Sequence, residues 1–185
     1  MIDFKNKIKK LKRGPQAIMP KDIGLIITET GIGKDSKILE AGTGSGMLTS
    51  YLANICKKII TYERRKDFYE LSKNNFKNIG FKNIKIINKD ISESKEKNID
   101  VMILDLPNPE DYINIAKNSL NKEGYLVCYL PHITQIQSLL SHLEGLRLMR
   151  VTELMRRDWL FEDNRIRPKS KIIGHTAFLV FIKNI

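Results

Sequence analysis

An α/β protein, a doubly wound and mostly parallel seven-stranded sheet with an antiparallel C-terminal edge pair, is the architecture expected of these 185 residues. Short apolar runs alternate with helical patterns along residues 37–143. A glycine-rich turn follows the first run, and two β-rich stretches close the chain with no helix predicted between them. The spacing predicts a helix over 21–30 with Ile23, Ile26 and Ile27 inward, then a first strand over Lys37–Ala41 and a helix over 47–56. Strands follow at 58–63, 84–88 and 99–106, the last nearly all apolar, as a strand covered on both faces must be. A helix over 67–78 separates the second strand from the third. After the fourth, residues 109–120 read as a helix opened by Pro109 and stopped by Asn121 to Gly124. A fifth strand over 124–130 leads to a helix over 132–143, and the stretches 148–156 and 175–183 pair antiparallel. The Met and Leu residues between 146 and 155 are expected on a buried strand face.

Composition narrows the function classes. No apolar run approaches the ~18 residues of a membrane span, and the basic first thirteen residues lead into no apolar signal region. Cys56 and Cys128 lie apart, with no CxxC or Cys/His pairing, so neither a disulfide scaffold nor a zinc site is expected, and the setting is reducing and cytoplasmic. The net charge of +11 favours polyanions, although a lysine-rich surface that only keeps the chain soluble gives the same total. Placement is more telling. Lys5, Lys7, Lys9, Lys10, Lys12 and Arg13 crowd a basic leader over residues 1–20, ahead of a single domain over 21–185. Most of the arginines, including Arg156, Arg157, Arg165 and Arg167, sit with Lys169 and Lys171 near the other end, and arginine suits bidentate phosphate contacts. Nucleic acid is the leading partner class.

The chemistry concentrates at strand ends. Leu39-Glu40-Ala41-Gly42-Thr43-Gly44-Ser45-Gly46 joins the first strand to a helix, where glycines let backbone approach a ligand. The spacing is GxGxG rather than GxGxxG, and Glu40 would repel a pyrophosphate. An acidic loop suits a ligand with cationic poles, and S-adenosylmethionine carries a sulfonium and an ammonium but no phosphate. Glu63 ends the second strand where a doubly wound fold presents a carboxylate to ribose; alone, such a Glu is more often a surface charge, but its interval from the glycine turn favours the ribose role. Asp90, at the end of the third strand, is an acceptor for an adenine amino group or simply a turn cap. Asp105-Leu106-Pro107-Asn108-Pro109 follows the fourth strand, and its two prolines stiffen the aim of the carboxylate. A carboxylate beside the N6 amino group of adenine stabilises the positive charge that grows as N1 takes a methyl group, and this needs no metal. His175 reads as a hydrogen-bonded structural histidine, and Trp159 as a base-stacking or core-capping ring.

These motifs resemble the archaeal and bacterial tRNA (adenine-N1)-methyltransferases of the class I, Rossmann-like type. The resemblance rests on Arg13-Gly14-Pro15-Gln16 with Pro20-Lys21-Asp22, the glycine motif, and Thr61-Tyr62-Glu63-Arg64-Arg65 with Asp67-Phe68. It continues through Asp105-Leu106-Pro107, the run from Arg165 to Lys169, and Gly174-His175-Thr176. It implies methyl transfer from S-adenosylmethionine to N1 of adenine 58 of the tRNA T loop, with 57 as a further position. Asp105 would then be the catalytic carboxylate and would also face the cofactor. Glu40, Gly42, Thr43, Gly44, Ser45 and Gly46 would hold its methionine end, Glu63 and Arg64 its ribose side and Asp90 its adenine, with Gln16 closing the pocket. Arg157, Trp159, Arg167 and Lys169 would meet the RNA. The family also implies a homotetramer and an additional β-rich N-terminal domain where this sequence has its basic leader. Glu110 stands where the family carries an aromatic residue after Asp-Leu-Pro-x-Pro, and Tyr112 is the nearby ring that can take its place. Methyl transfer to a protein (isoaspartyl-type) or a small molecule, and a non-catalytic RNA-binding subunit, are the alternatives on the same fold.

Overall fold

The computed structural model describes residues 2–12, 14, 17–162 and 165–185. Its centre is a seven-stranded sheet. Strands β1 (Lys37–Ala41), β2 (Lys58–Tyr62), β3 (Ile84–Ile87), β4 (Ile99–Leu104) and β5 (Leu120–Leu130) run parallel. Two more complete the sheet, β6 (Leu146–Thr152) and β9 (Phe178–Asn184), which pair antiparallel with each other while β9 also runs antiparallel to β5. The order is β3-β2-β1-β4-β5-β9-β6, so the chain reverses direction across the sheet between β1 and β4. In open α/β sheets such a reversal leaves a crevice at the carboxyl ends of the strands.

Alternation along the central strands builds two cores. Ile38, Val101, Ile103 and Val127 face helices α1 (Ile2–Lys9), α2 (Pro20–Thr30) and α3 (Met47–Ala53). Their sequence neighbours Leu39, Met102, Leu104 and Cys128 face α5 (Ile113–Ser119) and α6 (Ile133–Leu140). A strand sealed on both faces has no polar phase, hence the unbroken apolar runs. Helix α4 (Lys66–Ile79) ends in a left-handed Gly80 and buries Ser72, Asn75, Phe76 and Ile79. Both cysteines are buried free thiols, and burial raises both, Cys56 to about 11. Among the described residues, no helix is long and apolar enough to cross a membrane.

Three expectations need correction. The basic leader holds a helix that was not predicted: α1 packs on the first core through Ile8, and Leu11 just beyond it is buried there too, among exposed lysines. Residues 109–120 form a short 3₁₀ turn over Pro109–Tyr112 before α5, because Asn108 and the proline delay regular helix. The C-terminal part holds a hairpin that was not predicted, β7 (Trp159–Glu162) against β8 (Arg165–Pro168). With it comes a reversal of burial. Of the Met and Leu residues expected inside, Leu146 is buried, while Leu148 and Met149 are exposed because β6 is the sheet's edge and no described helix covers it, and Leu154 and Met155 are exposed in the loop that follows.

Replacing Ile8 or Leu11 by alanine is expected to lower the unfolding free energy by about 2–4 kcal/mol each, read from urea midpoints. An unchanged midpoint would mean that the segment over residues 2–11 contributes nothing to the core.

Candidate active site

The crevice is a cavity of about 790 Å³, within the usual range for cofactor sites. Its wall includes the glycine loop, Glu63, Arg64, Arg65, Asp90 and the loop after β4, with Ala17, Ile18 and Met19 across from them. The loop owes its path to glycine at two points. Gly42 has φ 90° and lies so close to the Asp105 carbonyl that a Cβ there would overlap it. Gly46 has φ 78° and is covered by the Phe76 ring in the same way. The amide of Asp105 donates to the Ala41 carbonyl at 3.0 Å, so the β4 carboxylate hangs beside the turn after β1.

The acids divide by environment. Glu63 is 3% exposed, and its Oε2 accepts from the Gly44 amide at 2.9 Å. Its Oε1 accepts from the Arg65 amide at 3.0 Å and Nε at 3.1 Å. The Arg65 guanidinium lies 3.9 Å from the centre of the Phe68 ring. Asp105 stands on the cavity wall in a recess whose desolvation pushes its carboxyl up to about 7, with Arg65 working against the rise and Glu63 adding to it. Glu40 does not reach the wall. It lies fully buried beneath the loop, accepts from the Thr49 hydroxyl at 2.6 Å, and is raised to about 7, mainly by burial against the pull of Thr49 and Thr61. Thr43 is buried in a 2.5 Å hydroxyl contact with Thr61. Asp90 accepts from the Ser92 amide at 2.9 Å and the Tyr112 hydroxyl at 3.3 Å; partial burial pushes it up, and these bonds outweigh that and hold it below the usual carboxylate range.

Several expected residues stand elsewhere. Gln16 lies outside the described residues. Arg157, Trp159, Arg167 and Lys169 belong to the β7–β8 hairpin and its flanks, all exposed and none on the cavity wall. Trp159, at 53% exposure, does not cap the core. His175 is structural, bonded to Glu153 at 2.8 Å and the Pro131 carbonyl at 3.0 Å. Tyr112 is engaged at Asp90, and the aromatic ring on the Asp105 side of the cavity is Tyr129. Glu110 turns away from the cavity, accepting from the Ser138 hydroxyl at 2.5 Å.

Other polar groups position the site although the sequence suggests no such role for them. Asn75 is 2% exposed and ties three segments together. Its Nδ2 donates to the carbonyls of Lys12 and Ser45 at 2.9 Å each, and its Oδ1 accepts from the Lys12 amide at 3.2 Å. Gln135 of α6 donates to the Pro107 carbonyl at 2.8 Å and so braces the loop that carries Asp105. Lys21 and Asp22 form a buried pair at 2.7 Å that also holds Thr176. A polar Asn at an inward phase of α4 was the one available signal for Asn75; Arg65 had only its place in the motif after β2, and Gln135 had none.

The cradle fits the expected donor: glycine backbone for close approach, with the carboxylates of Glu63, Asp90 and Asp105 on a wall that also carries Arg64, Arg65 and Lys89. Comparison with known proteins decides the family. The model for the tRNA methyltransferase complex GCD14 subunit matches residues 8–165. The chain belongs to this GCD14 family. It is 34% identical to the tRNA (adenine(57)-N(1)/adenine(58)-N(1))-methyltransferase TrmI of Methanocaldococcus jannaschii, over 93% of this chain and 73% of that protein. It is 32% identical to the tRNA (adenine(58)-N(1))-methyltransferase TrmI of Thermus thermophilus, over 94% and 71%. The crystal structure of the tRNA (m1A58) methyltransferase TrmI from Aquifex aeolicus superposes with a TM-score of 0.91 at 28% identity, covering 98% of this chain and 76% of that one. As a GCD14-family member on this fold, the chain is an S-adenosylmethionine-dependent methyltransferase.

The raised acids set a pH dependence of stability. A carboxyl with a folded pKa above its unfolded value binds more protons when folded, so stability falls as pH climbs from the unfolded value near 4 to about 7. Asp105→Asn and Glu40→Gln should therefore each raise the melting temperature at about pH 8 by a few degrees and leave it nearly unchanged at about pH 4. Thermal denaturation at the two pH values reads this directly, and destabilisation of both variants at the higher pH would contradict it.

Proposed function

We propose that this chain transfers a methyl group from S-adenosylmethionine to N1 of an adenine in the tRNA T loop, position 58, with 57 as a second candidate. The observation that carries the reading is a recessed carboxylate, Asp105, fixed by backbone contact to a glycine loop, in a cavity that also presents Glu63 and Asp90. S-adenosylmethionine supplies an electrophilic methyl on a cationic sulfur. The glycine loop would lie along its methionine end, with Glu63 for the ribose hydroxyls and Asp90 for the adenine amino group. Glu40 ties the strand before that loop to the helix after it through Thr49. Asp105 accepts a hydrogen bond from the N6 amino group of the target base and, ionised, offsets the positive charge that methylation places on the ring. The target base enters unstacked, since pairing hides N1.

The hairpin supports RNA as the substrate, because it and its flanks carry the exposed Arg157, Arg167 and Lys169 together with the exposed ring of Trp159, a combination that suits phosphates and a stacked base. Its other exposed apolar residues, Phe161 and Ile166, with Met155 at 70% exposure, are the surface through which we expect a homo-oligomer, a tetramer as in the family, to assemble in the cytoplasm.

With tRNA and labelled cofactor, Asp105→Ala should lose methyl transfer by at least ~100-fold while the cofactor Kd by calorimetry stays within a few-fold. The wild-type kcat/KM should rise with pH and level off above about 7, because the ionised form of Asp105 is the active one. Mapping the product as N1-methyladenosine tests the substrate; near-normal turnover by the alanine variant would remove Asp105 from the chemistry.

A further inference from the structure

Three carboxylates meet around the cleft, with Glu40 behind the loop, Glu63 at its side and Asp105 across from it, close enough that Asp105 and Glu63 act on Glu40 and Glu63 acts on Asp105. The cations nearby are mostly committed elsewhere. Lys21 is buried against Asp22 and Thr176, Lys89 pairs with Glu93, and Arg64 acts on Asp90 and Tyr112 at the far end of the cavity. Arg65 is different. Its amide and Nε both donate to Glu63, and its Nη2 reaches the other Glu63 oxygen at 3.5 Å. The guanidinium rests on Phe68, whose ring leaves no room for a Cβ on Gly14 of the N-terminal segment. It is thus held from below by an aromatic face and from the side by a carboxylate, and it is half-exposed at the cavity rim.

The geometry points to Arg65 as the resident counter-cation of the cleft, a residue that orients Glu63 for the ribose and sets how strongly the site prefers the neutral spent cofactor over the cationic methyl donor. The inference rests on the methyl-donor reading of the cavity. The donor and its demethylated thioether share a ribose and an amino-acid end and differ by one positive charge. A fixed cation in the cleft weighs against the first and not against the second, whereas the hold on Glu63 serves both equally. Arg65 therefore has two separable effects, one on affinity in common and one on the ratio of affinities.

The test is calorimetric titration of the full chain, wild type, Arg65→Met and Arg65→Lys, with S-adenosylmethionine, S-adenosylhomocysteine and adenosine. Arg65→Met should weaken adenosine and the thioether by similar factors. It should raise the ratio of thioether Kd to methyl-donor Kd by about threefold to tenfold, the size expected for one charge several ångströms away beside solvent. Arg65→Lys, which keeps the charge and loses the fork, should weaken all three ligands and leave that ratio at its wild-type value. Equal weakening of donor and thioether by Arg65→Met would leave Arg65 as scaffolding only and overturn the proposal. So would a ratio that moves as far in the lysine variant as in the methionine one. Wild-type protein that binds none of the three overturns the methyl-donor reading together with this one. Protein that shows the expected ratios yet methylates no tRNA overturns the substrate assignment alone.

Discussion

The close approach of Gly42 to the backbone of Asp105 is the constraint on which the rest of the site depends. β1 and β4 are neighbours, with Ala41 opposite Leu104, so the first residue beyond each strand must leave the sheet side by side. Only a residue without a Cβ lets the turn after β1 pass the Asp105 carbonyl at that distance. Cofactor loop and carboxylate are thereby one mechanical unit. The same crowding keeps water away from Glu40 and Asp105, which is why both carboxyls are raised to about 7. The acids are costly to bury, and apolar strands sealed on both faces hold them in place.

Around this unit the structure relies on single polar side chains that reach across to backbone. Asn75 joins the segment at Lys12 to the glycine loop at Ser45, and Gln135 joins α6 to the loop that aims Asp105. Each satisfies carbonyls that would otherwise be left without a partner between elements, the usual reason for a polar group in such a place. The basic N-terminal segment is accordingly part of the site's frame, since Ala17, Ile18 and Met19 form one wall of the cavity and α1 anchors the segment in the core.

The parallel core was readable from the sequence because strands covered on both faces must be apolar throughout, and because glycines and acids at strand ends have few other reasons to recur at that spacing. Glu63 and Asp105, singled out in this way, both stand on the cavity wall. Glu40 was assigned to the cofactor's edge although it lies beneath the loop, because a strand residue next to a turn gives no hint of which face it takes. The hairpin escaped detection since its four-residue strands mix arginine, glutamate and exposed apolar side chains without a one-sided phase. The residues of β6 misled for a related reason: an apolar strand at a bare edge looks the same in sequence as one inside the sheet. Arg65 was passed over for its neighbour Arg64, because adjacent arginines differ only in where the turn after β2 sends them.

The chain's two cysteines, one below α3 and one in the middle of β5, are shielded and held protonated, so neither offers a reactive thiolate at neutral pH. A thiol introduced on the exposed β7–β8 hairpin would be the one that reacts with a maleimide dye. Native cysteines need not be removed first, and the surroundings of that hairpin can be followed by fluorescence in an otherwise unaltered protein.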